Sequence, residues 1–249
     1  MPLNAIRALT FSERTRTSNW RLGAFLAFVA GAVNAGGFLV VQRYVSHMTG
    51  IVSSIGNDWA AGRAHLALVA IMLLLLFLSG AFSTSVLVNW ARRRGHRFEY
   101  ALPLAIEAAL LGLFILMGAH IDRTQEADVT GVAALLCYVM GLQNALVSKF
   151  SRAEIRTTHV TGLVTDIGIE LGRLVTSRFA AEGGPTATVN RERLFMHTTI
   201  FAMFLLGGIL GALAVTTWGV AALWPLVAGL MGIALPALVA DAAGHSRGQ

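Results

Sequence analysis

Six long apolar runs dominate the chain, at about 22–41, 66–90, 101–118, 129–147, 195–218 and 220–240. Each is close to the roughly 20 residues that cross a hydrocarbon core at about 1.5 Å rise per residue. Only 13% of the 249 residues are charged and 55% are hydrophobic, against roughly 25% charged in a water-soluble domain. A surface so poor in charge does not face water. The runs predict an all-α, polytopic fold of six transmembrane helices, a single integral membrane domain over 22–240 with tails at 1–21 and 241–249. The lipid bilayer is its first expected partner.

Several function classes are disfavoured on the same page. The 1–21 segment carries Arg7, Arg14, Arg16 and Arg21. A cleaved signal peptide is not expected there, because the run behind it is of full span length and no clear cleavage site follows. Glu13 and the six-span body weigh against a mitochondrial presequence. The single Cys137 lies inside a run, so neither a disulfide framework nor a cysteine-rich metal site is expected. The sequence has no G-x4-G-K-[ST] phosphate loop, no His-Glu-x-x-His helix and no G-x-S-x-G elbow. No catalytic residue, metal or cofactor is assigned, and an enzyme is not expected; an intramembrane metal or acid–base site is the weakest alternative. The net charge of +6 suits loop arginines better than nucleic acid.

Those arginines orient the chain. Arg92, Arg93, Arg94 and Arg97 follow the second run, and Lys149, Arg152, Arg156, Arg173, Arg178, Arg191 and Arg193 lie between the fourth and fifth. By contrast "HIDRTQEAD" (120–128) has three acids and one Arg. Basic loops face the cytoplasm, so both termini are expected inside. Arg43 and Arg63, in the first external connection, run against this.

An internal repeat constrains the fold further. "VSHMTGIVSSIG" (45–56) returns as "TTHVTGLVTDIG" (157–168), so that His47, Thr49, Gly50 and Gly56 recur 112 positions later as His159, Thr161, Gly162 and Gly168. "GAVNA" (31–35) precedes the first copy and "GLQNA" (141–145) the second. Downstream, "FLSG" is matched with "LLGG", placing Gly80 and Gly208 each ten residues before a Trp, and "LPL" (102–104) with "WPL" (224–226). The second copy holds an extra loop, "EGGPTATVNRER". Two halves, 22–120 and 129–240, thus have three spans each. Three is odd, so the second half enters from the opposite face, as an inverted repeat. This requires segments 45–62 and 157–175 to be short re-entrant or half helices; if both crossed fully, the repeat would be parallel.

The repeated phrase has the ingredients of a polar site. Ser46, Thr49, Thr158 and Thr161 are good N-cap residues, and Gly50 and Gly162 remove bulk beside them. Two helix N-termini meeting near the midplane would aim free N–H groups and positive dipole ends at a solute, which favours an anion. The candidate substrate-binding residues are Asn34, His47, Thr49, Gly50, Asn144, His159, Thr161 and Gly162, with Gln143 nearby. The alternative is packing, with Thr and Gly letting helices approach and the histidines bonded to carbonyls. Asp58 and Glu170 follow their histidines by three helical turns, as ion or proton ligands or as interfacial carboxylates near Arg63 and Arg173. Glu107 lies deep in the third run, where a carboxyl is costly unless protonated, paired or wet. It joins them as a candidate for ion or proton coupling.

The phrases "VSHMTGIVSSIG" and "GLQNALVSKFSRAEIRTTHVTGLVTDIGIELGRL", with the six-span length, resemble the YoaK-like family of bacterial inner-membrane proteins over roughly 20–240. The resemblance implies a bacterial plasma (inner) membrane protein and implies no substrate. The function expected is a secondary transporter or facilitator of a small polar solute, with anions among the candidates, bound between the inverted halves. A non-transporting scaffold or sensor is the alternative, and a channel stays open within the transport class. Small-residue helix faces allow a homodimer.

Overall fold

A computed structural model describes residues 16–96, 99–151, 155–177 and 189–245. Every regular element among them is helical. In chain order they are α1 (Arg16–Val41), α2 (Met48–Ala60), α3 (Ala64–Arg93), α4 (Ala101–Ala119), α5 (Glu126–Phe150), α6 (Val160–Thr176), α7 (Arg191–Trp218) and α8 (Trp224–His245). A single 3-10 turn, Val220–Leu223, leads into α8 after Gly219 closes α7 at φ 73°. All but α2 and α6 are long and apolar enough to cross a bilayer. Arg7, Arg14, Arg97, Arg152 and Arg178, and the 182–188 part of the extra loop, lie outside the described residues.

The two motif helices are shorter. With 13 residues in α2 and 17 in α6, they extend roughly 20 and 25 Å, less than a hydrocarbon core of about 30 Å. Among the spans, α1 and α5 are the most enclosed, with 61% and 56% of their apolar windows buried against 22% for both α3 and α7. The outer pair turns leucines and aromatics outward, Leu75, Leu78 and Phe82 on α3 and Leu206, Ile209 and Leu213 on α7. In a bilayer those side chains meet lipid, so the apolar run is used on both faces.

Glycine sets how close the helices come. A Cβ on Gly141 of α5 would fall on the Phe77 carbonyl oxygen of α3, and one on Gly80 of α3 would fall on that of Tyr138 of α5. The α1–α7 crossing repeats this contact for contact: Gly31 stands against the Phe204 carbonyl and Gly207 against that of Phe28. The second set is the first displaced by 110 positions on α1 and α5 and by 127 on α3 and α7. Small residues that admit a neighbouring backbone are a main source of helix association in lipid. The match corrects one reading of the sequence. Gly80 corresponds to Gly207, not Gly208, and "FLSG" to "FLLG" (204–207), because the stretch leading to Trp218 is one residue longer than that leading to Trp90.

Between α3 and α4 the chain is fastened by Arg92, whose Nε and Nη2 donate to Glu99 at 2.9 and 2.8 Å. Burial alone would push the Glu99 carboxyl up, but hydrogen bonds from Arg92 and Tyr100, with the Arg92 charge, hold it below the ordinary carboxylate range. A carboxyl depressed in the folded state contributes stability above its unfolded pKa and loses it as pH falls through the folded value. Glu99→Gln should therefore lower the thermal midpoint at neutral pH and flatten its fall on acidification, as read by thermal unfolding in detergent from pH 7 to 3.

Candidate functional site

His47 and His159 occupy the N-cap positions of α2 and α6, at φ −93°, ψ 72° and φ −86°, ψ 59°, and neither ring caps its helix. The first intrahelical bonds are Ile51 N–H to the His47 carbonyl and Leu163 N–H to that of His159, both 3.1 Å. The N–H groups of the preceding three residues in each helix therefore have no intrahelical acceptor. The expected caps do other work. Ser46 Oγ donates to Asn34 Oδ1 at 2.7 Å, and Thr158 Oγ1 donates to Asn144 Oδ1 at 2.6 Å, tying each motif to a central span.

The spacing of histidine and glycine has a steric cause. A Cβ on Gly50 would strike the His47 ring, and one on Gly162 would strike the His159 ring. Each imidazole is folded back over the first turn of its own helix, and only glycine leaves room. Glycine there gives up about 1 kcal/mol of helix propensity relative to alanine. We expect Gly50→Ala and Gly162→Ala to keep or slightly raise the thermal midpoint while swinging the rings away, seen as displaced imidazole resonances in 15N-histidine NMR spectra.

Both histidines face one open cavity of about 660 Å³. Its wall is built from residue pairs, one member from each half. Asn34 is matched by Asn144, Ser46 by Thr158, His47 by His159 and Thr49 by Thr161. Phe77 and Phe204 close it from α3 and α7, Met48 and Val160 from the motif helices, and the remaining pair is Tyr44 with Arg156. No lining residue lacks its counterpart, by the same offsets of 110, 112 and 127 positions that relate the rest of the two halves. Tyr44 stacks on Phe38 at 4.4 Å. Arg156 is exposed and has no ion-pair partner among the described residues. The Tyr44–Arg156 pair is the one in which a charge faces a neutral group.

Of the residues singled out in the sequence, Asn34, His47, Thr49, Asn144, His159 and Thr161 line this cavity, and Gly50 and Gly162 lie under its two rings. The three acids stand away from it. Asp58 accepts from Arg63 Nε and Nη2 at 2.9 and 2.7 Å. Glu170 is buried, accepting from Arg173 Nη1 at 2.8 Å and the Asn190 N–H at 3.0 Å. Glu107 is fully buried, with neither oxygen hydrogen-bonded. It sits beside Gln143, whose Nε2 donates to the Leu26 carbonyl at 3.2 Å and whose Oε1 has no partner. Among the described residues no three His, Cys, Asp or Glu side chains are grouped to hold a metal ion.

Tyr44, Phe77, Arg156 and Phe204 were not singled out as site residues in the sequence, where Arg156 counted only as a loop arginine. Phe77 and Phe204 are identical residues, visible once "FLSG" is set against "FLLG". Tyr44 and Arg156 share no chemistry, so identity matching passes over them. They are found only by carrying the 112-residue offset back from the motif.

Six helices of spanning length, four of which wall one cavity together with two like shorter segments, define a multi-pass helical membrane protein. Residues 22–235 match the family described as "Protein of unknown function (DUF1275)", and the chain belongs to that family. No curated protein and no solved structure matches it.

Proposed function

We propose that this protein is a secondary transporter or facilitator of a small polar solute, which binds in the shared cavity between two inverted three-span halves. The observation that carries the reading is the pairwise wall: each half contributes the same Asn, hydroxyl, His and Thr positions to one shared space. A packing device would shield its histidines, whereas His47 and His159 are both exposed to the cavity. With α2 and α6 too short to span, each half crosses three times, and an odd number inverts the second half. Exposed Arg156, with no ion-pair partner among the described residues, and the positive ends of two helices favour an anionic solute.

In this reading the protein sits in a bacterial inner membrane with both termini in the cytoplasm, an orientation that the basic loops support. Alternating access would rock one half against the other around the fixed site. The wall of the cavity comes from one chain alone, so a homodimer is not required to build it. Asp58 and Glu170, held by their arginines, serve the ends of the motif helices, and Glu107 is the candidate for proton coupling.

The test is flux through reconstituted vesicles. Light-scattering traces in a panel of small neutral and anionic solutes should show protein-dependent permeation. Thr49→Val with Thr161→Val should reduce it at least tenfold, while the variant remains monodisperse in detergent. Unchanged flux in the double variant would remove the solute from this cavity. No flux with any solute would leave the scaffold or sensor reading in its place.

A further inference from the structure

A second cavity, of about 300 Å³, adjoins the first, and Tyr44 and His47 belong to the walls of both. It lies between α2 and α3, with Ser54 and Asp58 on one side and Leu66, Ala70 and Leu73 on the other. The same offsets that pair the walls of the shared cavity identify what stands in its place in the second half. Ala70 becomes His197, Leu66 becomes Arg193 and Ser54 becomes Asp166. Two small side chains and a leucine are replaced by larger or charged ones, and these reach each other. Arg193 Nη2 lies 3.5 Å and His197 Nδ1 3.6 Å from Asp166 Oδ2, with His197 only 4% exposed.

The motif helices differ in the same sense. Helix α2 buries none of its residues, whereas α6 buries Leu163 and Glu170. Asp58 is held by Arg63, just beyond the end of its own helix, while Glu170 also takes the Asn190 N–H ahead of α7. Both motif helices pack on the span that follows them, but only α6 carries buried residues and a bond to the chain ahead of that span. A cavity whose wall is paired throughout thus has unlike approaches on its two sides.

We propose that the second cavity is the vestibule by which the solute reaches the shared site, and that the equivalent passage through the second half is shut by Asp166, Arg193 and His197. The structure is then one of single-sided access, open past α2 and latched past α6. This rests on the shared cavity being a solute site. Tyr44 and His47, the wall common to both spaces, are the inner constriction. What enters is a small hydrophilic solute, since beyond the apolar side chains of α3 it must pass an imidazole and a phenol ring.

Thiol chemistry tests the route without knowledge of the solute. In a Cys137→Ser background, Thr49→Cys is placed in the shared cavity and Ser54→Cys in the vestibule. Both are titrated with a small membrane-impermeant methanethiosulfonate, in intact cells and in inside-out vesicles. Both should react at least tenfold faster from the outer face, the face to which the arginine distribution assigns α2. Adding Ala70→Phe should slow the reaction of Thr49→Cys at least tenfold. Adding His197→Ala with Arg193→Ala should open reaction from the inner face. Preloading Ser54→Cys with a bulky impermeant thiosulfonate, then following imidazole accessibility, gives the same blocking test on protein already folded. Equal rates from both faces would overturn the proposal. So would a Ser54→Cys that only a lipid-soluble maleimide reaches, for the space would then be a lipid crevice. One-sided labelling without flux of any solute would sink only the transport reading.

Discussion

Gly141→Leu should leave almost no folded protein. The position is enclosed on α5, and a side chain there meets the Phe77 carbonyl oxygen of α3, a backbone atom fixed by its own helix. Overpacking a core ordinarily costs about 1–3 kcal/mol, because neighbouring side chains shift. Here the obstacle is backbone, and relief requires the helices to part along the whole crossing. That would also break the Thr84 Oγ1 bond to the Leu142 carbonyl at 2.9 Å and the Tyr138 hydroxyl bond to Ser83 Oγ at 2.9 Å. The combined loss should exceed about 3 kcal/mol, a large share of the roughly 5–15 kcal/mol that holds a typical domain. The readout is the monodisperse fraction after extraction in mild detergent, expected near background. Gly207→Leu, the counterpart on α7 facing the Phe28 carbonyl, should behave alike. Gly131→Ala on the same α5 has nothing within 4 Å of the added methyl. It should match the parent or gain up to about 1 kcal/mol from helix propensity. A well-folded Gly141→Leu would mean that the close approach of the two backbones is not what holds this crossing together.

Much of this architecture is written in the sequence, and the reasons are particular. The spans are legible because lipid demands an unbroken apolar stretch, which composition alone exposes. The His-x-Thr-Gly phrase is legible because the ring over the first turn needs glycine three residues on, in both copies. Other features leave no such mark. That His47 and His159, not the neighbouring hydroxyls, are the N-caps follows from the loop geometry. It could not be read from capping preferences, which favour Ser and Thr. Ser46 and Thr158 are drawn instead to the carboxamides of Asn34 and Asn144, residues a dozen or so positions earlier on another helix. Arg156 escaped because its counterpart is Tyr44. The vestibule escaped because it is defined by absences, an alanine where the other half has a histidine. Identity between repeats reveals what the halves share; the differences that would give a carrier its direction appear only when the geometry fixes which residue answers which.

Glu107→Gln should fold as well as the parent and change the pH dependence of flux. The carboxyl is fully buried in α4 and neither oxygen receives a hydrogen bond. An ionised carboxylate without donors costs several kcal/mol in such a place. The neutral acid costs far less, and it has an O–H to give to Gln143 Oε1, which otherwise has no partner. A glutamine at 107 offers an N–H to the same acceptor in nearly the same volume, so stability should stay within about 1 kcal/mol. Glu107→Leu offers no donor, and its midpoint should fall below that of Glu107→Gln. The reason to expect more than a structural role is asymmetry. Where the second half corresponds, Gly229 stands for Glu107, and Val33 of the first half stands for Gln143. The repeated frame folds around glycine and valine there, so the polar pair is not a requirement of the architecture. A proton taken up and released by Glu107 would make the solute flux respond to pH, and Gln cannot exchange that proton. Flux measured in vesicles from pH 5.5 to 8.5 should therefore follow different profiles in the parent and in Glu107→Gln, the difference between them being the part that Glu107 supplies. Parallel profiles in the two proteins would return Glu107 to a purely structural part, as a neutral hydrogen-bond donor between α4 and α5.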